Sequence, residues 1–560
     1  MSSSTTTSTT FQVVSADPAD IPMSILAPKG IQHSTEPPAA PLSLDVPPSP
    51  QRLARVFNAE PTSTLKKSTR VLIITLVIFA SLTQYAANFV TLSGGLALSK
   101  KLGRDVGPGE ANWMPASYSL TQSTFVLVSG RLGAVYGHQQ ILLLGGVIIA
   151  VFSLINTFTP TYNSFVAVRA LTGIGGGLIM PNAVAMITIM VPPGRTRNLS
   201  MGFFAAAAPV GGWVGAIIAG LFMKTPRWQM IFVFIAGLSA VLFGLLFVLL
   251  PREIPVDKGG KIDYTGACLG LTSLLLFNFV WNQAPSAGWS TPYEIALLLL
   301  SAVLFCSFLA WEKYVARHPI MPVTIFKAPT FTALLFVVLL SYMSFGISLW
   351  YMIAWEQILR GLDVMGVAII WTPFVPGSVL AVFAAAWLIP RLAAQYIVAL
   401  GVAFVLVSNL LLATMPVHQN YWVQTFPAIV LGSLCPDLVY VAAQVIASNS
   451  VSRKQQGIAG SLIGTLNLYG NSLGLGFAGT IETQLLEQNR DEVYGFRAVL
   501  YFGVALAVAG LVLDLIFVRM PKDEREGWDP SDQEADDIPV VGATMRRDGA
   551  ATGVENMNVA

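Results

Sequence analysis

The feature that most constrains this chain is a long series of apolar segments. Each is close to the roughly 20 residues that cross a hydrocarbon layer about 30 Å thick. They lie at about 71–97, 112–130, 141–159, 163–190, 199–223, 229–250, 264–284 and 293–312, then at 330–355, 365–389, 394–414, 421–447, 456–481 and 497–519. Hydrocarbon offers no partner to a free backbone N–H or C=O, so segments that cross it must satisfy those groups internally, as helices do. The pattern predicts an all-α polytopic membrane protein with fourteen spans. Composition agrees, with 54% hydrophobic and 11% charged residues against about 25% charged in a soluble domain. Too little charge is present to clothe a water-facing globule, which excludes soluble enzymes. A net charge of +2 provides no basic field for nucleic acid. Cys268, Cys306 and Cys435 each lie in an apolar run and are expected to pack as small apolar groups, with no metal site.

Residues 1–65 are rich in Ser, Thr and Pro, and residues 521–560 form an acidic tail. Neither has the apolar content that offsets ordering entropy, so both are expected to be disordered. The first long apolar run begins near Val71, so no signal peptide is expected at the start. An even number of spans puts both tails on one side. Loops on that side carry Arg131, Arg195, Arg197, Arg252, Lys258, Lys261, Lys313, Arg317, Lys327, Arg391, Arg453 and Lys454. The opposite side carries fewer: Lys100, Lys101, Arg104, Lys224, Arg227, Arg360, Arg490 and Arg497. By the positive-inside rule both termini are cytoplasmic. The sequon at Asn198 is then expected to stay unmodified.

A shift of 255 residues aligns Met180-Pro181-Asn182 with Cys435-Pro436-Asp437, Gly202 with Gly457, Gly215 with Gly470, and Arg169 with Gln424. This internal repeat divides the chain into a six-helix bundle over 66–252, two inserted helices over 253–326 and a second six-helix bundle over 327–520. Two such repeats flanking a central site suit alternating access.

Three stretches carry a family resemblance. Gly130-Arg131-Leu-Gly-Ala134-Val-Tyr-Gly137 resembles the signature loop G-x-L-x-D-R-x-G-R-K of the major facilitator superfamily. Ala134 stands where the Asp is usual, so the turn survives while the charge latch is largely lost. Arg169, followed by Gly173, Gly175, Gly176 and Gly177, resembles the R-x-x-x-G motif whose arginine is associated with proton coupling. Ala205-Ala-Ala-Ala208-Pro209-Val-Gly211-Gly212-Trp-Val-Gly215 resembles the antiporter motif G-x-x-x-G-P-x-x-G-G. Gly130, Arg131, Gly137, Pro209, Gly211, Gly212 and Gly215 are the gating residues this resemblance implies. Trp281-Asn282-Gln283-Ala-Pro285, with Asn112-Trp113-Met114, is similar to fungal aminotriazole-resistance-type exporters. The resemblance implies the fourteen-helix drug:proton antiporter branch, a major facilitator fold of two six-helix bundles plus two extra helices.

Asp437 follows Pro436 in mid-segment, where a charged carboxylate is costly. A carboxyl at that depth suits proton exchange near physiological pH. Arg169 and Asp437 are therefore the candidate proton-coupling pair. Pockets for amphipathic molecules are largely apolar with a few orienting polar groups. Tyr342, Phe345, Trp350, Trp371 and Phe374, with Asn182, Asn467 and Asn471, are the candidate cavity residues. Glu294, Glu312 and Glu356 sit at segment ends and read as interfacial, and Asp514 as an ion-pair partner of Arg519. No Walker-type phosphate loop is present in the sequence, so no cofactor is expected and the proton gradient supplies the energy. The expectation is a monomeric, multi-pass, proton-coupled exporter of small toxic compounds in the plasma membrane, with the vacuolar membrane as the other address. The alternatives are an uptake symporter on the same fold and a non-transporting sensor.

Overall fold

The computed structural model describes residues 66–519, apart from 192–194, 252–254, 256, 258, 329, 452–454 and 489–490. Both tails lie outside these residues, as do Arg252, Lys258, Arg453, Lys454 and Arg490. The described chain is helical, with no strand among the described residues. The first half contains α1 (Lys67–Ser93), the short α2 (Gly95–Lys101), α3 (Trp113–Tyr136), α4 (His138–Asn156), α5 (Tyr162–Met190), α6 (Arg195–Met223) and α7 (Met230–Leu249). The helices α8 (Tyr264–Ala287) and α9 (Pro292–Tyr314) follow. The second half contains α10 (Phe331–Ala354), α11 (Val364–Ile370), α12 (Phe374–Leu388), α13 (Ala394–Thr414), α14 (Thr425–Ser450), α15 (Gln456–Glu487) and α16 (Glu492–Phe517).

The breaks have local causes. The segment expected at 71–97 divides at Gly94 into α1 and α2. The one expected at 365–389 divides before Phe374, where Pro373 cannot donate the helical bond. The helix α10 ends in a π turn over Trp355–Leu359. Twelve spans are long and apolar enough to cross a membrane by themselves, with α11 and α12 together forming one. The remaining long helices, α3 and α15, do not reach that apolarity among the described residues. Fourteen crossings are therefore not fixed by apolarity alone. The polarity of these two helices is turned inward: Gln122, Ser123, Thr124 and Ser129 of α3 and Ser472 of α15 are fully buried, and the two helices pack on each other.

One apolar core joins α1, α4, α5, α6 and α7, and a larger one joins α10 to α16. The internal repeat appears as a repeated contact. In the first half α6 lies on α1, where a side chain at Gly215 would meet the Ala86 carbonyl. In the second half α15 lies on α10, where a side chain at Gly470 would meet the Leu339 carbonyl at 2.9 Å. Missing side chains allow these backbones to touch, the usual basis of helix association in lipid. Gly145 of α4 and Gly175 of α5 do the same, since a Cβ on either would come within 2.7 or 2.6 Å of the other's carbonyl. Helices α8 and α9 pack on one another, and α8 also rests on α3 and α15. There Trp281 stacks on Phe477 with centroids 3.8 Å apart.

Overpacking of this kind costs about 1–3 kcal/mol. Gly175→Ala should lower the melting temperature of the detergent-solubilised protein without changing its helical content. Thermal size-exclusion chromatography checks this, and an unchanged melting temperature would show that α4 and α5 separate freely.

Candidate functional site

A cavity of about 1850 Å³ runs between the halves. Its wall combines Tyr85, Asn88 and Phe89 of α1 with Pro181 of α5 and Pro209 of α6. Across from them stand Tyr342 and Phe345 of α10, Phe374 and Ser378 of α12, Asp437, Tyr440 and Gln444 of α14, and Asn467 and Asn471 of α15. The cavity extends to Gly130, Arg131, Arg197, Lys261, Arg317 and His318. These belong to the loops and helix ends on the side where the loop charges predict the tails.

The polar chemistry of the wall centres on Asp437. Its carboxylate accepts a close hydrogen bond from the Ser378 hydroxyl. Tyr342 donates to the Pro436 carbonyl at 2.6 Å, taking up an acceptor beside the helix proline. Asn471 donates to the Asn467 carbonyl at 3.0 Å, and its Oδ1 has no hydrogen-bond partner. A buried amide oxygen left without a donor is costly, and this one lies beside Gly346 of α10. The apolar wall is a run of rings: Tyr342 to Phe345 and Phe345 to Phe374 both have centroids 6.3 Å apart. Tyr85, Ser378, Tyr440 and Gln444 were not anticipated from sequence. Tyr440 and Gln444 follow Asp437 at one- and two-turn spacing, which was the available signal.

Three expected cavity residues stand elsewhere. Trp350 is fully buried and donates to the Pro108 carbonyl at 3.0 Å, away from the cavity. Trp371 is a layer behind the wall, stacked on Phe374 at 5.4 Å and facing Phe89 at 5.8 Å. Asn182 is buried between helices, where it donates to Ser129 at 2.9 Å and meets His138 Nδ1 at 2.7 Å. Its symmetry mate Asp437 likewise pairs with a serine, so each half ties its post-proline polar residue to the neighbouring helix. In the second half that pair faces the cavity.

Arg169 is fully buried, and its Nη2 donates to the Ala87 carbonyl at 2.6 Å and to Thr91 at 3.1 Å. The guanidinium lies 4.9 Å from the Tyr118 ring centre, a cation–π contact. Nε and Nη1 have no hydrogen-bond partner. No ion pair joins Arg169 to a carboxylate among the described residues, so direct tuning of Asp437 is not what the geometry provides. Arg169 instead holds α1 one residue from Asn88 in the cavity wall.

The signature loop keeps its turn, with Gly137 at φ 103°, a region that favours glycine. Its missing carboxylate is supplied from the following linker: Asp257 pairs with Arg131 at 2.7 Å, and its N–H donates to the Ala134 carbonyl at 2.9 Å. The antiporter-like glycines press α6 onto α1, Gly212 against the Phe89 ring and Gly215 against Ala86. The two exporter-like strings meet, Trp113 donating to Gln283 at 2.9 Å, while Asn282 donates to the Ser472 carbonyl at 3.2 Å.

Opposite the cavity mouth the halves are shut. Gln357 donates to the Ser93 carbonyl at 2.7 Å, and Trp213 to the Ala368 carbonyl at 3.2 Å. Lys224 pairs with Asp363 at 3.0 Å. The Gly366 N–H and this lysine hold the Asp363 carboxyl below its usual range. The acids expected at interfaces are buried instead. Glu312 accepts from the N–H groups of Ile320 and Met321, and Glu356 pairs with Arg360 at 2.8 Å. Glu294 and Asp514 are fully buried, and Asp514 pairs with no cation among the described residues, Arg519 included.

Asn182 and Asn471 should separate stability from recognition. Asn182→Ala removes buried hydrogen bonds worth about 1 kcal/mol each and should lower the melting temperature. Asn471→Ala should leave it unchanged and alter which compounds the protein retains, read by thermal-shift and ligand-binding measurements side by side.

The sequence pattern of the Major Facilitator Superfamily matches residues 71–475, with a second match over 334–554. The chain is 30% identical over 462 residues to the efflux pump terJ of Aspergillus terreus, covering 80% of this chain and 88% of that protein. It is 31% identical over 413 residues to the low affinity ammonium transporter of Saccharomyces cerevisiae, covering 72% and 80%. It is 28% identical over 454 residues to the aminotriazole resistance protein of the same yeast, covering 79% and 83%. Among solved structures, an auto-inhibited POT family peptide transporter superposes with a TM-score of 0.60 at 15% identity, over 81% of this chain and 99% of that one. At that identity the likeness shows the fold alone.

Proposed function

The chain belongs to the major facilitator superfamily and is a membrane transporter of small molecules, and we propose that it is a proton-driven exporter of small toxic compounds. The observation that carries the proposal is Asp437, the one acidic side chain set among aromatic rings and amides deep in the cavity wall. With both termini in the cytoplasm, as the loop charges predict, the cavity would face that side. The two six-helix bundles would rock about it, while α8 and α9 ride with them. Open outward, Asp437 takes a proton; the protonated carrier turns inward; substrate entering from the cytoplasm accompanies proton release and is discharged on the return. Arg169 would link this cycle to α1 through the Ala87 carbonyl. The plasma membrane is the proposed address. Candidate cargoes are azole-like toxicants, small weak acids such as borate, and fungal secondary metabolites. Similarity to efflux pumps supports the outward direction, while similarity to the ammonium transporter supports an uptake carrier as the second reading.

The test is retention of a toxicant panel in efflux-deficient yeast, with and without a protonophore, comparing wild type with Asp437→Asn and Arg169→Ala at matched surface abundance. Wild type should lower retention, and the protonophore should abolish the difference. Asp437→Asn should lose at least about tenfold in export rate, the equivalent of roughly 1.4 kcal/mol of barrier. Raised retention in wild type would make the protein an importer, and protonophore-resistant export would remove the proton.

A further inference from the structure

The closed end of the molecule contains a carboxyl that the cavity does not use. Glu482 lies on α15, one residue past the segment expected at 456–481, and is 1% exposed. Its Oε2 accepts from the Tyr351 hydroxyl of α10 at 2.6 Å. It also accepts from the Gly109 N–H, in the loop that joins α2 to α3. The loop reads Gly107-Pro108-Gly109, and the second half grips all three residues. A side chain at Gly107 would lie 3.2 Å from Glu482 Oε1. One at Gly109 would lie 3.0 Å from Oε2 and 3.1 Å from the Gly479 carbonyl. Between them, the Pro108 carbonyl accepts from the Trp350 indole at 3.0 Å. The missing side chain at Gly109 lets the loop lie against the α15 backbone, and the clamp joins the two halves of the carrier.

A carrier that alternates must open this clamp. Opened, Glu482 faces the medium on that side; closed, it loses that water. The charges around it offer no compensation. Glu110 of the loop pairs with Arg104 at 3.3 Å, and Glu492 at the start of α16 is a second, exposed acid nearby. On the same helix Arg497 turns away to the Met415 carbonyl at 3.2 Å. From α10 the neighbouring titratable group is Tyr351, and α8 brings only Pro285 to the adjoining Gly479. Breaking a carboxylate's hydration without a cation partner is unfavourable, whereas a neutral carboxyl keeps its acceptor capacity for the two donors.

We propose that Glu482 is a second proton site, which takes its proton from the medium at the far side and fastens the outer gate over the neutral carboxyl. This rests on the exporter reading for which side is outside. Acid outside favours the closed gate; as external pH rises, Glu482 ionises, stays hydrated and holds the gate open.

The test reads gate opening rather than transport. Cys268, Cys306 and Cys435 are replaced by Ala, and Asp437→Asn removes the cavity proton from the comparison. Ser93→Cys then provides a thiol at the shut interface, since Ser93 is fully buried there and its carbonyl takes Gln357. Intact cells receive a membrane-impermeant maleimide at external pH from about 5 to about 8. Rates are normalised to a second chain bearing Asn420→Cys, an exposed position at the same end. Labelling of Ser93→Cys should rise with pH by up to about tenfold per unit, the limit for one proton. Glu482→Gln should label slowly at every pH. Gly109→Ala, whose methyl group holds the loop off, and Trp350→Phe, which removes the indole donor to the Pro108 carbonyl, worth about 1 kcal/mol, should raise labelling at acid pH about fivefold. Unchanged pH response in Glu482→Gln overturns the assignment and leaves the exporter reading intact. A flat response in the parent overturns it too, with the retention assay still deciding export. If Glu482→Gln fails to reach the surface, parent-like labelling in both other variants overturns the clamp.

Discussion

Hydrocarbon cannot accept or donate a hydrogen bond, and the arrangement of this protein follows from where its polar groups go instead. The two most polar long helices, α3 and α15, are the ones that face each other and the interior. Where α8 meets α15, Asn278 Oδ1 accepts from both the Ser472 hydroxyl at 3.0 Å and the Asn282 amide at 2.6 Å. Arg169 finds a carbonyl, a hydroxyl and a ring rather than a carboxylate. Buried polar side chains such as Arg169, Asn182 and Asn409 thereby tie helices together, and the space left between the halves becomes the cavity.

The second dependence is on backbones that touch. Where α6 lies on α1 and α15 lies on α10, small residues replace the apolar side chains that would separate soluble helices. Contacts of this kind hold the helices within each half together, and the seam between halves combines the packing of α3 on α15 with a few polar bonds. At one end of the seam these bonds are Gln357 to Ser93, Trp350 to Pro108 and the Gly109 N–H to Glu482. At the other end the seam is the cavity mouth. Two halves closed at one end of the seam and parted by a cavity at the other are the arrangement that rocking about a central site requires.

Much of the candidate site was legible in the chain, and the parts that were not share a cause. Asp437, Asn467 and Asn471 line the cavity because a carboxyl or amide at mid-segment is kept from the lipid, and Tyr342, Phe345 and Phe374 line it with them. Trp350 and Trp371 were indistinguishable from them in sequence, since an aromatic ring suits a pocket wall, a packed interface and a lipid face equally well. Asn182 and Asp437 occupy equivalent places in the repeat, yet one is sealed between helices and the other faces the cavity. Glu482 fell just past a predicted segment end, where a carboxyl is ordinarily solvated. The loop that buries it is distant in sequence, on the far side of the seam.

Segment length and apolarity by themselves determined a helical membrane protein, and the shifted repeat of Pro181 and Pro436 determined its two related halves. Those are properties of single segments measured against a fixed solvent thickness. Tertiary structure alone decided which polar groups share a space. It paired Asp257 with Arg131 in place of the acid missing at Ala134, put Ser378 on Asp437, and closed Gly107-Pro108-Gly109 over Glu482. Each of these joins residues from different helices or loops. Their meeting depends on how the helices rotate and tilt against one another, which no periodicity within one segment records.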